Sequence, residues 1–174
     1  MGEVPPLTDL YKKFREKGFE FFIIYTREAH PGENFPHHRT WDQKLAHARK
    51  LKELDSVEIP ILMDDLAGST HVAYGALSNM VYLIDRDGVV VYKSDWTDAH
   101  ELNGMCQSLV RLDDMKTRNL PIIRKGVSER LHWIPMDPQH RERIYRRSGK
   151  KAIRDYLNAR GHLPYATDAE KANP

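Results

Sequence analysis

The run Phe19 to Tyr25, "FEFFIIY", constrains this chain more than any other stretch. Aromatic and β-branched residues follow one another with almost no polar break, the composition of a strand. A strand of that kind is covered on both faces, as in layered α/β folds. Directly behind it, residues 25–39 read "YTREAHPGENFPHHR", where histidines, acidic residues and two prolines replace the apolar run. A core strand therefore delivers a loop of titratable groups to the rim of a sheet.

The neighbouring segments alternate in period. Leu7, Leu10, Tyr11 and Phe14 recur at i, i+3, i+4 and i+7, which predicts an amphipathic helix over 5–17, stopped by Gly18. Thr40 with Gln43 three residues on fits a capping box, and Trp41, Leu45, Ala48 and Leu51 continue it as a helical stripe over 40–54. "EIPILMDD" (58–65) reads as a short strand, and "LAGSTHVAYGA" after it as a loop or short helix. "MVYLIDRDGVVVYKSD" holds two apolar runs around Arg86-Asp87-Gly88, the pattern of an antiparallel hairpin. From Asp98 onward, Leu102, Met105, Cys106, Leu109 and Leu112 share one helical face, with Cys106 as a small core hydrophobe. Beyond residue 115 the pattern weakens, with helices expected at 138–147 and 149–160 and a polar tail from 164. Strands that alternate with helices and close on a hairpin and a last helix match the C-terminal part of a thioredoxin-like domain.

Composition bounds the function classes. A chain of 174 residues with 40% hydrophobic content suits one domain of ordinary size plus an appendage. We divide it into a domain over 1–115 and a basic, mainly helical extension with a polar tail over 116–174. No window approaches 18 uninterrupted apolar residues, and the N-terminus lacks the layout of a secretory signal. The expectation is a soluble cytoplasmic protein with no membrane partner. Residues 1–115 carry 13 Lys/Arg against 19 Asp/Glu, and residues 116–151 carry 11 against 3, so an acidic body precedes a basic extension. No recognised nucleic-acid motif accompanies those basic residues, which disfavours nucleic acid as a partner. The single Cys106 excludes an internal disulfide, a paired-cysteine redox motif and a cysteine-rich zinc site.

The segments "YTREAHPGENF", "FPHHRTWDQKLAHARKL", "MDDLAGSTHVAYGA" and "VYLIDRDGVVVYKSDW" together resemble the iodothyronine deiodinase family and its bacterial redoxin relatives, over about residues 2–112. The resemblance implies a three-layer thioredoxin-like sandwich, a thiol or selenol nucleophile and reduction of a small aromatic substrate, such as removal of iodide from an iodinated phenol. It implies no bound cofactor, an external thiol reductant, and a reductant protein as partner. The family's nucleophile stands in a turn after a first core strand, before a helix resembling "VPPLTDLYKKF". Neither that strand nor the nucleophile has a counterpart here, so this chain is expected to be inactive by that route. The alternative is a catalytically dead redoxin module that binds a small molecule or a protein. In the family the absent strand lies between those matching 19–25 and 80–85. The two inner edges would then be unpaired and prone to self-association. Met80 stands where vertebrate members carry an arginine, and Ser78 and Asn79 lie near the usual cis-proline position, which argues against thyroid hormone itself.

By the same resemblance, Glu28, His30 and His38 are the candidate catalytic residues lining the substrate pocket. A histidine titrating near neutrality can bind a phenolate and move a proton, with Glu28 able to fix the tautomer of His30. Against this stands a plain structural reading, in which Glu28 caps loop amides, His30 packs beside Pro31, and His37 and His38 face solvent. A metal site from His30, His37, His38 and Asp64 or Asp65 has ligands of suitable type, but the spacing matches no established site. The expectation is that no metal is bound.

Overall fold

The computed structural model describes residues 4–123 and 138–160. It is a mixed α/β structure with two small sheets. The polar tail expected from residue 164 lies outside the described residues.

In chain order, α1 (Val4–Arg15) leads to β1 (Ile23–Tyr25), α2 (Trp41–Leu54) and β2 (Ile61–Met63). The short α3 (Ser69–Ala73) precedes the hairpin β3 (Val81–Ile84) and β4 (Val90–Ser94), then α4 (Ala99–Thr117). The extension supplies α5 (Pro138–Ser148) and α6 (Lys150–Arg160). β1 and β2 pair in parallel, Ile24 opposite Leu62, across the α2 crossover. β3 and β4 pair antiparallel, Leu83 opposite Tyr92, with a register shift between Leu83 and Ile84. Their turn is set by Asp85, whose Oδ1 accepts from the amides of Asp87 and Val89 at 3.0 Å each, while Gly88 takes the positive φ of 78° that closes it.

β1 and β3 are not joined, so the two ladders form separate sheets. Side chains bridge them instead. Phe14 and Leu10 of α1 bury against Leu102 and Cys106 of α4, with Val81, Leu83 and Tyr92 of the hairpin beneath. Val4 buries with Val57 and Ile59, against Ile23 and Ile61. Leu7 and Phe21 touch both clusters and hold the two sheets on one helical layer.

The opposite sheet face is thinly covered. Phe22 is 54% exposed and Ile24 40%, so the expected strand covered on both faces has one face in water. Leu62, Ile84 and Val90 share that exposure. The strand is also shorter than its apolar run, since Phe19 and Phe21 serve as packing residues outside the ladder.

At the start of α2, the Thr40 hydroxyl accepts from the Gln43 amide at 3.3 Å, as the capping box predicts. The reciprocal bond comes from Arg39 N to Gln43 Oε1 at 2.8 Å, one residue earlier than the standard pattern. Trp41 is exposed, and the fully buried member of the first turns is Lys44. Its Nζ donates to the Asp65 carbonyl at 2.9 Å. Beside it Asp64, 2% exposed, accepts from the amides of Asp65, Thr70 and His71 at 2.9, 2.9 and 3.0 Å and so anchors α3.

Candidate functional site

Glu28 and His38 come together at the mouth of β1, and two residues that the sequence reading passed over join them. Tyr25 ends β1 and donates its phenol hydrogen bond to Glu28 Oε1. His47, on α2, places Nδ1 3.2 Å from the same oxygen, with both side chains about 12–13% exposed. The ring of His38 lies 6.3 Å from that of Tyr25 and 6.4 Å from that of His47, centre to centre. One ligand-type atom from each of Glu28, His38 and His47 lies within 4.8 Å of the others. Phe35 packs edge-on against His47 at 5.4 Å and carries Lys50 over its ring.

The electrostatics follow from partial burial. Loss of water and the bond to Glu28 hold the Tyr25 phenol far above its usual range, so it donates at any working pH. Burial lowers the pKa of His38, and the nearby Lys44 charge lowers it further, against a smaller upward pull from Glu28. His38 is therefore neutral near pH 7. Its Nδ1 is buried with no hydrogen-bond partner. Beside Glu28 and His47 lies a cavity of about 20 Å³, lined also by Tyr25, Phe35, Leu51, Leu54 and Arg147. That volume holds one water or an ion and is far too small for an aromatic ring.

His30 goes elsewhere. Its ring packs edge-on against Tyr145 of α5, 4.9 Å between centres, with Nε2 3.4 Å from the phenol oxygen. The tautomer of His30 is thus not fixed by Glu28, whose carboxylate is engaged by Tyr25 and His47. The same extension clamps the loop. Asn34 N donates to the Ser148 carbonyl at 3.1 Å and Asn34 Nδ2 to that of Arg147 at 3.0 Å. Both Glu33 oxygens accept from Lys151 N at 3.0 Å, at the start of α6. Arg147 Nη1 meets both Asp55 oxygens at 2.8 Å. His37 is exposed. Helical phase could have found His47, since it lies four residues before the half-buried Leu51 and three after the buried Lys44 and so shares their face. Tyr25, three residues from Glu28, carries no such signal.

Cys106 is 1% exposed, and burial pushes its thiol up to about 11, with Lys13 pulling weakly the other way. It is a core residue and not a nucleophile.

Comparison with known proteins agrees with the resemblance read from the residues. The chain is 28% identical over 108 residues to thyroxine 5-deiodinase of Sus scrofa, covering 56% of this chain and 35% of that protein. The human enzyme is 27% identical over 109 residues, covering 57% and 35%. The Sparus aurata enzyme is 30% identical over 86 residues, covering 42% and 30%. No family model and no solved structure matches. The class defined is a mixed α/β protein with a Tyr–Glu–His cluster at a strand end. In sequence, this chain has an iodothyronine deiodinase-like relationship. It spans about a third of the length of the curated relatives it matches.

Proposed function

We propose that the chain is a thioredoxin-like redoxin domain of the deiodinase-like group, cytoplasmic and bacterial, with its basic extension docked on the site loop. In its complete form it is a thiol- or selenol-dependent oxidoreductase acting on a small aromatic substrate. The observation that carries this reading is the 27–30% identity to thyroxine 5-deiodinases. The order β1–α2–β2, then hairpin, then α4 is compatible with a thioredoxin-like arrangement, and the lack of pairing between β1 and β3 among the described residues supports a reading in which one more strand stands between them.

In the reduction itself an aryl carbon–iodine bond becomes carbon–hydrogen, iodide leaves, and two thiols supply the electrons and end as a disulfide. Glu28 and His38 handle the proton, with His47 and Tyr25 holding Glu28, and the aromatic ring lies outside the cavity of about 20 Å³, against the segment that carries the nucleophile. The catalytic sulfur or selenium belongs to a segment other than residues 1–174, because Cys106 is sealed in the core. The chain alone is therefore inactive. The reaction needs no bound redox cofactor, and an external thiol, free or on a reductant protein, regenerates the complete form. A dead redoxin module that binds a small molecule or a protein is the second reading, favoured by the tight closure of α5 and α6 on the loop.

The test is thiol-dependent deiodination by the chain alone and by a form extended upstream through a strand ending in Cys-Pro-Pro-Phe. Turnover is expected only in the extended form, lowered by Glu28→Gln and His38→Gln. Dithiol-dependent turnover by the 174-residue chain that vanishes in Cys106→Ser would overturn the reading. An extended form that binds substrate without turning it over would favour the dead module.

A further inference from the structure

We propose that Glu28, His38 and His47 form a binding site for one divalent metal ion of the zinc class. This differs from the histidine sets considered from the sequence. Asp64 is consumed by backbone amides, His30 by Tyr145, and His37 is exposed. The structure instead gathers two histidines and one carboxylate within 4.8 Å, the donor set of open zinc sites, in which water completes the shell. Donors around a four-coordinate ion at ordinary bond lengths stand roughly 3–3.5 Å apart, so only a small closure of the cluster is needed.

Three independent features favour an ion here. His38 Nδ1 is buried without a hydrogen-bond partner, and such an atom is costly unless something else satisfies it. Glu28 is already oriented by the Tyr25 hydroxyl, the outer-sphere donor that metal-binding carboxylates commonly have. The adjoining cavity of about 20 Å³, walled by Phe35, Leu51 and Leu54, has room for the one water that completes the shell and no more. Two cations oppose the ion. Lys44 faces His38 from α2, but its Nζ is tied to Asp65 and lies near the Asp64 carboxylate, which offsets its charge. Arg147 lines the adjoining cavity, but its Nη1 is paired with both Asp55 oxygens at 2.8 Å. An occupied site would pin residues 28 and 38 of the loop to α2.

The experiment uses the whole chain, stripped with a chelator and titrated with Co²⁺ as a spectroscopic probe, then with Zn²⁺ as competitor. One equivalent of Co²⁺ is expected to give visible ligand-field absorption that Zn²⁺ abolishes. His47→Ala and Glu28→Gln should each weaken binding at least ~10-fold, and Tyr25→Phe, which removes only the outer-sphere donor, about 10-fold. His30→Ala and His37→Ala should leave it unchanged. Circular dichroism confirms folding, and Glu28→Gln, nearly isosteric, keeps the test valid if His47→Ala fails to fold. No absorption change on Co²⁺ addition, or binding that survives Glu28→Gln in folded protein, overturns the proposal. None of these readouts uses turnover, so the result is separate from the redox reading.

Discussion

Substituting Gly32 by alanine should release the C-terminal helices from the site loop. Gly32 is buried and its φ lies outside the left-handed region, so alanine meets no backbone penalty there. The penalty is steric, because an added Cβ would sit 2.0 Å from the Ser148 carbonyl oxygen and 3.2 Å from Ala152 Cβ. Both neighbours belong to the α5–α6 pair, and the oxygen, being backbone, cannot swing away. The contacts at stake include two hydrogen bonds from Asn34 and the paired Arg147–Asp55 contact, whose side chains are 30% and 15% exposed. At about 1 kcal/mol for each hydrogen bond and up to ~1 for a partly exposed ion pair, they sum to roughly 2–3 kcal/mol. Losing them shifts the docked population roughly 30- to 150-fold. Hydrogen exchange reads this directly. The amides of Asn34 and Lys151 should exchange faster by about that factor in Gly32→Ala, while those of the β3–β4 hairpin stay protected. If both amides keep wild-type protection in the folded variant, the close approach at Gly32 does not hold the extension in place.

Asp64→Ala leaves the amides of Asp65, Thr70 and His71 without their acceptor and should cost at least ~2 kcal/mol in urea unfolding; a loss within experimental error would show that α3 is anchored otherwise. Burial pushes the pKa of Asp64 up, but the amides of His71 and Thr70 outweigh it and the net shift is downward. Its stabilisation is therefore complete above the ordinary aspartate value near ~3.9 and is lost as pH falls through the lower folded value, so Asp64→Asn should flatten the acid limb of the stability curve. Lys44→Met leaves the buried Asp64 carboxylate without its neighbouring cation and the Asp65 carbonyl without its donor, and should cost roughly 3 kcal/mol in thermal melts; an unchanged melt would mean that the amide bonds alone compensate the Asp64 charge. Cys106 should resist a thiol reagent in native protein and react fully in denaturant, and fast native reaction would place it outside the core described.

The helical and hairpin periods of this sequence carry nearly all of the element order. Leu10 and Phe14, or Leu102 and Cys106, lie where their spacing predicts, because local geometry decides which residues share a face. Coverage by other elements is not local, and "FEFFIIY" could not reveal that Phe22 and Ile24 would stand in water. Lys44 is a clearer case, since a charge in a helical stripe reads as surface until Asp64 and the Asp65 carbonyl are brought to it by a strand about 20 residues on. At the site, resemblance singled out Glu28 and His38, and the structure adds His47 and Tyr25. His30 stands apart from that cluster because its partner, Tyr145, lies 115 residues away in a helix whose docking no spacing rule foretells.

The separation of the two sheets also bears on the order in which the chain can assemble. The hairpin and α4 form one contiguous stretch, residues 81–117, whose contacts close short loops. β1 and β2 must instead find each other across the whole α2 crossover, with Ile23 pairing Ile61. Loop-closure entropy favours the first unit, and no ladder bond ties it to the second. The hairpin–α4 unit should thus appear early as a folding nucleus. The β1–β2 half, with its titratable loop, should join later, when Leu7 and Phe21 dock between them.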